Sequence, residues 1–408
     1  MRALHIITGL GVGGAEQQLR LLLRHLPASC DVVTLTNPGP VAEGLTADGV
    51  RVIHLGMSGN RDAGALPRLA KVIRAGRYDL VHTHLFRACL YGRIAARLAG
   101  TRAVVATEHS LGDTQMEGRP LTPGVRALYL TGERLGRATV AVSPSVAERL
   151  SRWGVPRQRI HVVPNGIDVE RFRFDLRARI TARRRLGLPD GAFVVGGVGR
   201  LAPGKRFDVL LHALAALPGD VRLLLVGGGP EEAGLRTRAA RLGVADRVVF
   251  AGEQPYPGSY PGSCTGSYPG SYTESCPGEQ PQPGARPQPS EGGTGLPALL
   301  AAMDVLASPS PEEAFGLAVV EGLAAGLPVL YVRCPAVEDL PPDAATGAER
   351  VTGDPDSFAR ALLRVRAAGV RPRPAREAAH RYSITRSAAQ LMHVYEAAAF
   401  GPTPRVSS

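Results

Sequence analysis

A chain of 408 residues is longer than one ordinary hydrophobic core organises, and its length predicts two domains. Its 44% apolar and 21% charged residues describe a soluble globular protein, and no uncharged apolar run approaches the ~18 residues of a membrane-spanning helix. The excess of 48 basic over 36 acidic residues suits an anionic partner, but no zinc-finger spacing, arginine-rich tail or aromatic-basic motif directs that charge to nucleic acid.

Only Lys71 and Lys205 are lysines. An arginine-dominated chain reflects a GC-rich, bacterial genome, so a compact ammonium kept at two places draws notice. The cysteines, Cys30, Cys89, Cys264, Cys276 and Cys334, are odd in number and scattered, which fits free thiols in a reducing cytoplasm. No metal-ligand spacing occurs among them.

From the start, short apolar runs alternate with helical stretches, the pattern of βαβ units around a parallel sheet. Strands are predicted at residues 3–8, 31–36, 51–55, 78–84, 103–109, 138–143 and 160–163, with helices at 15–26, 66–74 and 85–98 among them. The run at 3–8 is too short for a signal peptide and leads into a glycine loop, so it reads as a first strand. The pattern restarts at 193–200 and continues through 221–227, 248–252, 305–310 and 328–332. The predicted fold class is α/β, with two doubly wound Rossmann-like halves facing a cleft. Ligands of such folds sit beyond the carboxyl ends of the strands.

After the first strand, Gly9-Leu10-Gly11-Val12-Gly13-Gly14 matches the form G-x-G-x-x-G. A nicotinamide site would also want an acid at the end of the second strand, and Thr34-Leu35-Thr36-Asn37 stands there instead. What remains is a turn whose N–H groups at Gly13 and Gly14 approach a diphosphate or an acceptor, or a plain tight turn. His84 and His109 end two strands, where a neutral imidazole can hydrogen-bond a sugar hydroxyl or a phosphate; for His84 a structural role is equally open. The helix at 66–74 spaces Arg68, Lys71 and Arg74 along one face, suited to an anionic membrane or to water.

Pro164-Asn165-Gly166-Ile167-Asp168 and the arginine-rich stretch at 171–185 make the expected joint between the halves. Beyond it, Gly199-Arg200 and Lys205 place two cations after a strand, suited to an anionic group of a ligand or simply solvated at a turn. Residues 255–295 repeat Tyr-Pro-Gly-Ser-like units and Pro-Gln-Pro runs without apolar periodicity, and read as a disordered insertion, passive or lid-like. In Ser308-Pro309-Ser310-Pro311-Glu312-Glu313-Ala314-Phe315-Gly316-Leu317, a strand end turns into a helix expected to begin near Phe315. Glu313 would then lie at the helix mouth and Glu321 about two turns further in. Two carboxylates beside the N–H groups of Phe315, Gly316 and Leu317 suit a ligand bearing both hydroxyls and phosphates, such as a sugar nucleotide.

Glu313, Phe315-Gly316-Leu317 and Glu321, together with Gly199-Arg200 and Lys205, resemble the family 4 glycosyltransferases, retaining enzymes of the two-domain GT-B architecture. Gly13-Gly14-Ala15-Glu16, Pro164-Asn165-Gly166-Ile167-Asp168 and Val226-Gly227-Gly228-Gly229-Pro230-Glu231 are similar to that family's loops, and the likeness runs from residue 6 to about residue 335. It departs at Cys334-Pro335-Ala336-Val337-Glu338, where the family often has a glycine pair.

The resemblance implies an acceptor-binding domain at 1–170, a nucleotide-sugar-binding domain at 171–383, and a final helix from 384 crossing back to the first. It implies transfer from a nucleoside-diphosphate sugar, a UDP- or GDP-sugar, to an acceptor hydroxyl of a carbohydrate, lipid-linked or small molecule, without a metal or other cofactor. Arg200 and Lys205 would hold the leaving diphosphate, Glu313 the sugar hydroxyls and Glu321 the ribose, with His109 as a further active-site residue. Gly13, Gly14, Gly228, Phe315, Gly316 and Leu317 would line the donor. The rival readings are a sugar-nucleotide epimerase or phosphorylase on the same scaffold, or a binding protein without catalysis.

Overall fold

In the computed structural model, which describes residues 1–59, 62, 64–112, 115–117, 119–254, 295–341, 343–369 and 375–401, the chain builds two parallel sheets wrapped by helices. The expected insertion, apart from Gly295, lies outside the described residues.

The first half runs β1 (Arg2–Ile7), α1 (Gly14–Leu23), β2 (Ser29–Thr34), α2 (Gly39–Ala47), β3 (Arg51–His54), α3 (Ala65–Gly76), β4 (Leu80–His84), α4 (Phe86–Leu98) and β5 (Val104–Glu108). A small ribbon of β6 (Gln115–Met116) and β7 (Arg119–Pro120) follows, then α5 (Pro123–Glu133), β8 (Ala138–Ala141), α6 (Pro144–Trp153) and β9 (Ile160–Val162). The large sheet has the order β3-β2-β1-β4-β5-β8-β9 with every pair parallel. β4 and β5 are buried along their whole length, because helices cover both faces. Leu4, Ile6, Val33 and Val81 pack with Leu69, Ile73 and Ala88 on one face; Ile7, Val32, Leu80 and Val105 pack with Leu19, Leu45, Leu391 and Val394 on the other.

The second half runs α7 (Leu176–Arg185), β10 (Phe193–Val198), α8 (Phe207–Ala215), β11 (Val221–Val226), α9 (Glu232–Arg241), β12 (Val248–Phe250), α10 (Leu296–Ala302), β13 (Val305–Ser308), α11 (Leu317–Ala324) and β14 (Val329–Tyr331). It closes with α12 (Pro335–Glu338), β15 (Ala348–Arg350), α13 (Pro355–Ala368), α14 (Arg376–Arg381) and α15 (Ile384–Phe400). The parallel order is β12-β11-β10-β13-β14-β15. The short edge strand β15 is absent from the sequence expectation, since three half-exposed residues carry no apolar run. The arginine-rich stretch folds largely into α7, where Arg179 and Arg183 clamp Asp304 at 2.6 and 2.7 Å and brace the start of β13.

Where the sequence pattern extends strands to residues 109, 143, 200 and 310, the sheets stop at Glu108, Ala141, Val198 and Ser308. The overhanging residues have left the ladder to shape loops. Strand order reverses between β1 and β4 in one sheet and between β10 and β13 in the other, so each half has its crevice there.

The two crossings between the halves run side by side. Ile167 N–H donates to the Tyr382 carbonyl at 2.7 Å and Ile384 N–H to the Ile167 carbonyl at 2.9 Å. Gln18 of α1 grips the same joint, donating to the Gly166 carbonyl at 2.6 Å and accepting from Gly166 N–H at 2.9 Å. A side chain at Gly166 would meet the Ile384 backbone at 2.5 Å, so only glycine permits this close pass.

Candidate active site

Both crevices open toward one another. Ser143, which caps α6 by accepting from Val146 N–H at 3.2 Å, donates its own hydroxyl to the Ala314 carbonyl at 2.7 Å across the halves. A Cβ on Gly14 would lie 3.6 Å from Leu317 Cδ1, so the glycine loop after β1 and the turn before α11 are nearly touching walls.

On the second wall, the loops after β10, β11 and β12 are sewn together by Gly199 N–H to the Val226 carbonyl, Leu201 N–H to the Gly228 carbonyl and Gly227 N–H to the Gly252 carbonyl. Gly227 has φ 134°, and a side chain there would collide with the Gly199 carbonyl, so glycine is what lets these loops close ranks. Gly228 lies beside the Glu253 side chain. Arg200 is exposed at the loop tip. Lys205 ends a 3-10 turn (Pro203–Lys205) and forms an ion pair with Glu313. Ser310, buried, donates to the Glu312 carbonyl at 2.9 Å and reaches the Gly204 carbonyl at 3.3 Å, which ties the lysine loop to the glutamate loop. Two predicted site residues 108 positions apart are thereby joined.

The helix starts later than expected. α11 begins at Leu317, because Gly316 caps it in a left-handed conformation, φ 98°. A Cβ at Gly316 would collide with Cys334 Sγ, so the cysteine that departs from the family pattern is what packs against this cap. Phe315 therefore turns inward, its ring edge-on to Tyr382 at 5.1 Å, and does not offer a helix amide. Glu321 lies about one turn into the helix, not two. The residue is 6% exposed, and its carboxyl makes no hydrogen bond among the described residues. Burial alone pushes its pKa up to about 8.

On the first wall, Glu16 of α1 folds back over the Gly13 turn. Burial pushes its pKa up to about 7, opposed by its own backbone N–H and by Arg200 across the cleft, and reinforced by Glu117. Glu16, quoted in the sequence only as part of the Gly13-Gly14-Ala15-Glu16 loop and not among the expected site residues, thus lies on this wall in the first turn of α1. His109 follows β5 and is half-buried, with its Nδ1 sealed from solvent and unpartnered. Its Nε2 lies 3.1 Å from His84 Nδ1. Burial lowers its pKa to about 4, so the ring is neutral near pH 7. Behind it stand His5, His82 and Tyr395, none of them anticipated as site residues. Among the described residues, His5, His82 and His84 are a group of three whose ring nitrogens all lie within 4.8 Å, a spacing able to hold a metal ion.

Residues 12–171 match the sequence profile described as Glycosyltransferase Family 4, and residues 178–261 and 290–367 match two profiles described as Glycosyl transferases group 1. A D-inositol 3-phosphate glycosyltransferase of Salinispora tropica is 31% identical over 361 residues, covering 82% of this chain and 66% of that protein, just under two thirds of its length. The protein of the same name from Salinispora arenicola is 30% identical over 404 residues, 89% of this chain and 81% of the relative. Anabaena Alr3699/HepE in complex with UDP and glucose superposes with a TM-score of 0.77 at 22% identity over 96% of this chain and 98% of that one, a likeness of fold. The chain belongs to glycosyltransferase family 4 and is a sugar-transferring enzyme of the two-domain GT-B fold.

Proposed function

We propose that the protein moves a sugar from a nucleoside-diphosphate sugar, a UDP-sugar first among the candidates, to an acceptor hydroxyl with retention at the anomeric carbon. The observation that carries this reading is the Lys205–Glu313 pair at the β10/β13 crevice, opposite the glycine loop. A cation for the diphosphate and an acid for sugar hydroxyls are held in contact there. Lys205 and Arg200 neutralise the leaving diphosphate, aided by the amides of Gly316 and Leu317. On donor binding Lys205 exchanges Glu313 for phosphate oxygens, and Glu313 is released to accept from the sugar. Glu321, on the same helix, accepts from the ribose hydroxyls, and His109 meets the sugar or phosphate from the first wall. With no free carboxylate assigned as nucleophile, the leaving phosphate takes the acceptor proton in a front-face substitution.

A sugar phosphate such as an inositol phosphate is the first acceptor to try, by analogy with the names of the relatives. The reaction then belongs at the cytoplasmic side, where sugar nucleotides are made. The basic face of α3 favours water over a membrane: Arg68 is paired with Asp62 at 2.7 Å, Arg74 reaches the Leu98 carbonyl at 2.7 Å, and Leu69 and Ile73 are buried in the core. No helix among the described residues is long and apolar enough to cross a membrane. The test is a thermal-shift series with UDP, GDP and their sugars. Protection by one nucleoside diphosphate that is lost in Glu321→Ala supports the reading, and no protection by any of them overturns it.

A further inference from the structure

We propose that Thr107, His82, Tyr395, His5 and His84 form a tautomer relay that fixes the proton of His109 on Nδ1, leaving that enclosed nitrogen as the one spare donor for a ligand oxygen that displaces the side chains sealing it. The proposal rests on the reading of His109 as a residue that meets the ligand; the relay behind it is argued from geometry, with burial setting the charge of the rings.

The members come from β4, β5, β1 and α15, with His109 just past the end of β5, and residues 82 and 84 share one side of the sheet by the two-residue period of a strand. They connect in single file. Thr107 Oγ1 lies 2.7 Å from His82 Nε2, and His82 Nδ1 lies 2.6 Å from the Tyr395 hydroxyl. That hydroxyl lies 3.3 Å from His5 Nε2, His5 Nδ1 lies 3.0 Å from His84 Nε2, and His84 Nδ1 lies 3.1 Å from His109 Nε2. Burial holds these imidazoles neutral, each with one N–H.

Every link needs one hydrogen, and every inner member has one to give. The file must therefore point one way throughout. If it points from His109 toward Thr107, all four rings are Nε2–H, the His109 Nδ1 lone pair is unpaired, and the Thr107 hydroxyl hydrogen has no acceptor among the bonds that the described residues form. If it points from Thr107 toward His109, all four rings are Nδ1–H and a single polar hydrogen is left over, on His109 Nδ1. The second sense satisfies the buried groups better, and its one spare donor is the sealed, unpartnered nitrogen. A cavity of about 30 Å³ bounded by His84, His109, Gln18 and Asn165 has room for a water oxygen beside the file. Tyr395 and Thr107 are positioning residues here: they act on the ligand only through His109, and Tyr395 ties the state of the site to the seating of the C-terminal helix.

The same three histidines that line the file have metal-like spacing, and among the described residues no carboxylate joins them, so a bound zinc is the rival outcome to exclude. The experiment is ¹⁵N-histidine NMR of the wild-type protein without ligand, with zinc content measured on the same sample. The relay predicts Nδ1–H at His5, His82, His84 and His109 together and no stoichiometric zinc. Nε2–H or mixed tautomers, or one zinc per chain, overturn it. Kinetics give a second arm. Tyr395→Phe should lower kcat about tenfold while the donor KM changes less than twofold. In a His109→Ala background the same change should cost no further kcat, although the melting temperature still falls as in the wild type. Kinetic losses that simply multiply would overturn the relay. Absence of nucleotide protection in the wild type would overturn the functional reading and leave the NMR result to stand on its own.

Discussion

Lys205→Ala removes the ammonium at the β10/β13 crevice and also strips Glu313 of its partner. A cation about 4 Å from the leaving phosphate is worth roughly 4 kcal/mol at an effective dielectric near 20. Lys205 is about a third exposed, so part of that is screened, and removing one such donor from a pre-organised site costs ~10²–10³ in kcat. The loss should exceed that of a solvated lysine because Glu313, mostly buried, is left as an uncompensated anion beside an anionic donor. Adding Glu313→Gln to Lys205→Ala should therefore restore donor affinity while leaving kcat low. The assay is release of nucleoside diphosphate under saturating donor, with KM read separately. A kcat within about threefold of wild type, or a double variant that binds donor no better than the single one, would refute the reasoning.

Glu321 offers a pH test. Its folded pKa near 8 against an ordinary 4.5 means that the folded state holds a proton the unfolded chain lacks between those values, so its contribution to stability declines as pH rises through that window. Thermal melts of Glu321→Gln should gain on wild type between pH 5 and 8, by on the order of a few kcal/mol, and parallel curves would move the carboxyl out of its buried site. Ribose hydroxyls donating to Glu321 favour its ionised form, so wild type should release more protons on binding UDP at pH 7 than Glu321→Gln does. Calorimetry in buffers of different ionisation enthalpy reads that difference, and equal release would separate Glu321 from the nucleotide. Gly316→Ala forces a strained φ and a clash with Cys334, and should cost about 1–3 kcal/mol in stability, measured by chemical denaturation; a neutral effect would show that the cap relaxes freely.

The two sheets were legible because inner strands such as β4, β5, β10 and β11 are buried almost throughout and so read as apolar runs. The Lys205 and Glu313 motifs were legible as types of residue at the ends of strands, whereas their contact spans 108 positions that no local pattern connects. The start of α11 was misplaced because an apolar periodicity runs through Phe315, while the conformation of Gly316 decides where the helix begins. The histidine file was least visible of all. His82-Thr83-His84 shows two rings on one side of a strand, but His5 and Tyr395 lie 390 positions apart and meet only when α15 packs on the first sheet.

The central claim is that a sugar leaves a nucleoside diphosphate held at the β10/β13 crevice and reaches its acceptor with retention. It is tested most directly by proton NMR of the product formed from an α-linked UDP-sugar and a sugar-phosphate acceptor such as an inositol phosphate. The account predicts an α-linked product, with formation falling at least a hundredfold in Lys205→Ala. A β-linked product, or turnover independent of Lys205, would contradict it.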